Sequence, residues 1–161
     1  MIKRITLAFC LLAAVSLSVK AQASMNPSIA NAGTAADPQA KTLYARLGGY
    51  DAIAAVTDDF VGRLVADKRF TRFFAGHSTD SIKKIRMHVI DLLCESAGGP
   101  CNYIGRTMKA SHQGLGITGE DWDESVKHLV ATLNKFKVPK AEQDELLAVV
   151  GTLKKDIVDK P

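Results

Sequence analysis

Three features of the 161-residue sequence predict an all-α fold. Apolar side chains recur at steps of three and four through successive segments, the spacing of one helix face. No stretch alternates apolar and polar residues convincingly enough for a strand. The turn signals Gly48-Gly49, Gly98-Gly99-Pro100 and Pro139 fall between the apolar segments, where helices stop and start.

The chain opens with Lys3 and Arg4, an apolar run of about fifteen residues (ITLAFCLLAAVSLSV), and Ala21-Gln22-Ala23, a small-x-small pattern. This predicts a secretory signal peptide over residues 1–23, cut after Ala23. The run is short for a membrane anchor, which takes about twenty residues. Export, with the periplasm as destination, and no membrane attachment after cleavage are expected. Residues 24–41 are rich in Ala, Ser, Asn, Pro and Gly without an apolar period and predict a flexible linker. Residues 42–161 then suffice for one domain with one core.

Within that domain "TLYARLGG" predicts a short helix stopped by Gly48-Gly49. Residues 50–70 place Ile53, Val56, Phe60 and Leu64 on one face of a second helix. "KRFTRFF" reads as an aromatic turn, and "AGHSTD" as a loop and cap. From Asp80 to Ala97 the stripe is Ile85, Val89, Leu92 and Leu93, and His88 falls inside it. The segment after Pro100 supports only one or two turns around Met108–His112. Thr118 and Asp121 then resemble a capping box, with Asp in place of Glu or Gln, ahead of a helix with Trp122, Val126, Leu129, Val130 and Leu133 inward. Pro139 opens a last helix, where its missing amide costs nothing, with a stripe running from Leu146 to Ile157. About six helical pieces result.

The full chain has 21 basic and 17 acidic residues; without Lys3, Arg4 and Lys20 the balance is near neutral. No basic block remains to recommend a nucleic-acid partner. Cys94 and Cys101 are the two cysteines left after processing. In an oxidising compartment they are expected to bridge the Gly-Gly-Pro turn, in preference to acting as a redox pair, whose motifs are more tightly spaced.

Chemistry concentrates on the histidines. His77 lies in a polar loop and His128 on a helix flank, both read as solvated or peripheral. His88 is different, because an unpaired imidazole on a buried stripe costs roughly 1–3 kcal/mol. Either it bonds a carbonyl in the core, or it serves a ligand. The Cys-bracketed turn folds the arm carrying His112 back toward the His88 helix. Two imidazoles facing one apolar, aromatic-rich space suit a flat iron-bearing group such as haem. There is no Cys-x-x-Cys, no H-E-x-x-H and no phosphate loop. Ser111, His112 and Asp121 lack the strained turn a nucleophilic serine needs. The adjacent Asp58 and Asp59 point apart on a helix and read as a solvated acidic face.

The segments "LYARLGG…AIAAVTDDF", "FFAG", "GGPCNYIGRTMKASHQGLGIT" and "LVATLNKFKVP…DIV" together resemble the group 1 truncated haemoglobins, from Leu43 to Val158. The resemblance implies a two-over-two helical sandwich around a haem b, held without covalent bonds since no Cys-x-x-Cys-His is present. It implies that His112 is the proximal iron ligand. It places Phe74 on the haem face, Phe60 beside the distal pocket, and Tyr103 and Met108 along the haem or its edge. The distal side departs from the usual pattern: Val61 and Val89 stand where many members carry tyrosine and glutamine. His88 is then the polar distal group, either donating a hydrogen bond to ligand or occupying the sixth iron position itself, and the lack of a rival partner favours coordination. The implied activity is reversible binding of O2 or another diatomic gas (NO or CO). The alternatives are a redox enzyme of nitric oxide dioxygenase or peroxidase type, which needs an unidentified electron donor, and a bis-histidine electron-transfer module.

Overall fold

A computed structural model describes residues 41–159. The predicted signal peptide (1–23) and the linker up to residue 40 lie outside the described residues. Eight helices follow in order: α1 (Leu43–Arg46), α2 (Gly49–Ala66), α3 (Thr71–Phe74), α4 (Thr79–Ser96), α5 (Met108–His112), α6 (Gly119–Lys135), α7 (Lys140–Gly151) and α8 (Lys154–Ile157). No strand occurs among the described residues, and none of their helices is long and apolar enough to cross a membrane.

Four of the helix starts are set by a hydroxyl that accepts a hydrogen bond from an otherwise unpaired amide. Thr42 caps α1, Ser78 caps α4 and Thr107 caps α5. At α6 the capping box is complete: the Thr118 hydroxyl accepts from the Asp121 amide, and the Asp121 carboxylate accepts from the Thr118 amide. Gly48 and Gly49 both have positive φ, 97° and 81°, so the predicted stop is also a sharp corner from which α2 starts at once.

α2 packs against both α4 and α6 and forms the spine of the domain. Ile53 and Val56 of α2 meet Ile90 and Leu93 of α4, Leu129 and Leu133 of α6, and Leu146 of α7 in one core. Charged pairs tie the same helices at the surface. Asp58 takes Arg86 of α4, while Asp59 takes Lys135 and the Thr132 hydroxyl of α6 together with Arg63. The two carboxylates do diverge, but Asp59 is a half-buried joint between helices and not the solvated group expected. Arg46 of α1 reaches Glu142 and Glu145 of α7.

Two elements differ from expectation. The last helix is two: α7 ends at Gly151, and α8 begins at Lys154. Gly151 is a weak helix former, and the Thr152 hydroxyl donates to the Val149 carbonyl at 2.7 Å, a local bond that competes with the helix ladder. α4, in turn, carries two apolar faces where one stripe was read. Ile90, Leu93, Cys94 and Ala97 are buried in the core. Ile85, His88, Val89 and Leu92 line a cavity on the other side.

Candidate haem cavity

A cavity of about 700 Å³ opens between α2, α4 and the α5–α8 region. That is within the range of cofactor pockets. Its walls are mainly apolar: Phe60, Val61 and Leu64 from α2, Phe73 and Phe74 from α3, Trp122 and Leu129 from α6, Leu153 just before α8 and Ile157 within it. All six residues singled out in the sequence (Phe60, Phe74, His88, Tyr103, Met108 and His112) lie in this one lining.

His112 is the last residue of α5, one turn after Met108, so both side chains reach the cavity from the same short helix. Its Nδ1 lies 2.7 Å from the Met108 carbonyl oxygen. A carbonyl can only accept, so Nδ1 carries the proton, and Nε2 keeps its lone pair for another partner. Metal-ligating histidines are oriented by this kind of bond.

His88 reaches the cavity from the middle of α4. Its Nδ1 is buried and has no hydrogen-bond partner among the described residues. The core-carbonyl partner that would have made it an ordinary buried histidine is absent among the described residues. Its nearest ring is Tyr103, edge-on at 5.9 Å between centroids. Val61 and Val89, also in the lining, bring no polar atom. One imidazole with a free Nε2, a second without a protein partner and apolar aromatic walls together fit a haem.

Tyr103 is held by the loop that bears it. Its hydroxyl donates to the Arg106 carbonyl at 2.6 Å, and burial pushes its pKa up, so it remains a phenol. The ring folds over Gly105, where a Cβ would come within 2.5 Å of it, so a larger residue there would push the tyrosine out of this position. Cys94 and Cys101 are joined as a disulfide, with Cα atoms 5.7 Å apart, which returns the chain from the end of α4 to this loop.

Some features escaped the sequence reading. Asp121, expected to cap α6, is 2 % exposed and also binds Arg69 at 2.9 Å and Arg72 at 2.6 Å. Burial pushes its carboxyl up, but the Thr118 amide and the Arg69 guanidinium outweigh that and hold the pKa at about 2. The aromatic turn around α3 is thereby fastened to the start of α6. His77 is solvent-exposed as expected, yet sits at the cavity edge. His128 bonds Asp67 at 2.7 Å and packs edge-on against Phe70. Glu124 lies close by but is paired with Lys127, so this acidic and imidazole cluster is satisfied internally.

The profile of the bacterial-like globin family matches residues 42–159. The chain is 37% identical over 114 residues to the group 1 truncated haemoglobin GlbN of Synechocystis, covering 68% of this chain and 90% of that protein. It is 31% identical to GlbN of Mycolicibacterium paratuberculosis, covering 72% and 83% of the two chains. Among solved structures, the truncated haemoglobin of Tetrahymena pyriformis in its Fe(III) form superposes with a TM-score of 0.67 at 30% identity, over 73% of this chain and 98% of that one. The 2/2 haemoglobin of Synechococcus, in the cyanomet state with covalently attached haem, gives the same TM-score and identity over 74% and 99%.

Proposed function

This chain belongs to the bacterial-like globins and, within them, to the group 1 truncated haemoglobins, and from that premise we propose that His112 is its iron ligand and His88 the residue that sets its reactivity. The fold is the two-over-two helical sandwich of that family, and the protein is a haem-binding globin that takes a diatomic gas. Haem b, when bound, supplies the iron at which the gas is held reversibly.

The observation that carries the assignment is the Nδ1 bond of His112 to the Met108 carbonyl, which presents a lone pair on Nε2 to an apolar cavity. Met108 serves twice, since its backbone orients the imidazole and its side chain lines the cavity. Phe60, Phe74 and Tyr103 exclude water from the walls. A dry wall strengthens any polar contact made inside it.

The place of His88 in the cavity lining supports a second reading of the distal side, in which that imidazole competes for the iron and the protein serves electron transfer. Absorption spectra of the oxidised, reduced and CO-treated protein test both. A Soret band lost in His112→Ala supports the proximal assignment. Sharp low-spin bands in the reduced, gas-free protein that vanish in His88→Ala support distal coordination. An unchanged high-spin spectrum would sink it.

Export to the periplasm, retention of haem without covalent bonds and an external electron donor belong to the same proposal. Residues 1–23 and the Cys94–Cys101 pair support the first, because such bridges persist in oxidising compartments. Mass spectrometry of the secreted protein, native and denatured, reads leader removal, the bridge and haem attachment together.

A further inference from the structure

Behind His112 the chain makes a tight loop, Gln113-Gly114-Leu115-Gly116, in which Gly114 and Gly116 have φ of 84° and 67°. Alternating left-handed residues turn successive backbone N–H groups toward one point and form a concavity that attracts an anion. Here the anion comes from the chain itself. Asp159, just beyond α8, places Oδ2 at 2.9 Å from both the Gly114 and the Gly116 amides. The Asp159 amide in turn donates to the Ile117 carbonyl at 3.0 Å. Three bonds therefore close the segment 114–117 onto Asp159, two residues past α8, and α8 itself packs against α5.

We propose that Asp159 is the positioning residue for the proximal histidine. α5 has five residues, too few to be stable alone, and His112 is its last. The helix is capped at its start by Thr107, and at its end the Gln113 amide donates to the Lys109 carbonyl and the Leu115 amide to the His112 carbonyl as the chain enters the glycine loop. Without an anchor there, the final turn frays, and the His112–Met108 bond frays with it. The Asp159 carboxylate supplies that anchor from 45 residues away. The Gly-x-Gly pattern after the histidine then has a physical reason: it forms the seat for this carboxylate.

The inference rests on His112 being the iron ligand, so the experiment reads the two separately. Haem-loaded wild type, Asp159→Ala, Asp159→Asn and Asp123→Ala are compared. Asp123→Ala removes a different contact of α8, the pair with Lys154 at 3.1 Å, and serves as control. Asp159→Asn keeps an oxygen able to accept both amides. Measured are the rate of haem transfer to excess apomyoglobin, the iron–histidine stretching band in resonance Raman after CO photolysis, and hydrogen exchange at Gly114 and Gly116. Asp159→Ala is expected to lose haem about tenfold faster, to shift or broaden the iron–histidine band and to unprotect both glycine amides. Asp159→Asn should stay close to wild type and Asp123→Ala should be unchanged. An Asp159→Ala protein with an unaltered iron–histidine band overturns the proposal, even if its melting temperature falls. Absence of that band in wild type overturns the His112 assignment, and the proposal with it.

Discussion

His112 stands at the end of a five-residue helix, yet its Nδ1 is bonded, its helix start is capped and the loop behind it is clasped by Asp159. His88 stands in the middle of an eighteen-residue helix, and its Nδ1 has no partner among the described residues. The contrast separates backbone rigidity from ring rigidity. A long helix is held by its seat on Ile90, Leu93 and Cys94 and by the surface pair of Arg86 with Asp58, so the His88 ring is left for whatever enters the cavity. A short helix has little core of its own, and specific hydrogen bonds fix both its backbone and its imidazole. One wall presents an oriented imidazole, and the other an uncommitted one.

The largest effect should come from removing the oriented side. His112→Gly is expected to weaken haem binding by about a hundredfold or more, because no other imidazole lies in the α5 wall, and added imidazole should restore the Soret band. Haem titration by absorbance with and without imidazole measures both. Retention of wild-type affinity would mean that His88 alone anchors the iron, and the comparison would invert.

Next in size is the link between the two walls. The Cys94–Cys101 bridge ties the end of α4 to the loop that carries Tyr103, the aromatic neighbour of His88. Replacing both cysteines by serine should cost roughly 2–3 kcal/mol, the chain-entropy value for so short a loop. Urea unfolding should show it, and adding reductant to the wild type should reproduce it. The His112 side has its own fastenings, so the proximal iron–histidine band should be unaffected.

A smaller effect is confined to acid. Asp121 fastens the α3 turn to α6 with a carboxyl at about 2, below the ordinary 3.8. A depressed carboxyl stabilises the fold at all pH above its unfolded value, and that contribution fades as pH falls from about 4 through about 2. With Arg69 and Arg72 partly exposed, roughly 1–2 kcal/mol is expected. The acid limb of an unfolding curve should flatten in Asp121→Asn, which would also be less stable at neutral pH.

What could be read without coordinates follows from the range of each interaction. The α6 cap was legible because Thr118 and Asp121 are three residues apart, and His88 stood out because it interrupts an apolar period. The motif around Tyr103, Arg106, Met108 and His112 was legible as a resemblance, and all of these residues do share one cavity. Contacts that cross the chain were not. Arg69 and Arg72 meet Asp121 across 52 and 49 residues, and Asp159 meets Gly114 across 45. Nothing local distinguishes these acids from solvated ones. The second face of α4 was missed for a related reason: a helix buried on two sides has no single stripe, so Ile90 and Cys94 fell outside the one that was drawn.

The sharpest test of the contrast is also the smallest in energy, because it turns on sign. A buried nitrogen without a protein partner is a cost that the folded protein bears. His88→Leu removes that cost and keeps an apolar side chain of similar reach. The haem-free protein should therefore gain about 1 kcal/mol in urea unfolding. If His88 takes the sixth iron position, the haem-loaded protein should lose stability through the same change. His112→Leu, which breaks a made bond to Met108, should destabilise both forms. Opposite signs for His88 in the two forms, and one sign for His112, are what an uncommitted and a committed imidazole require. A haem-free protein weakened by His88→Leu would show that the distal ring already has a structural role.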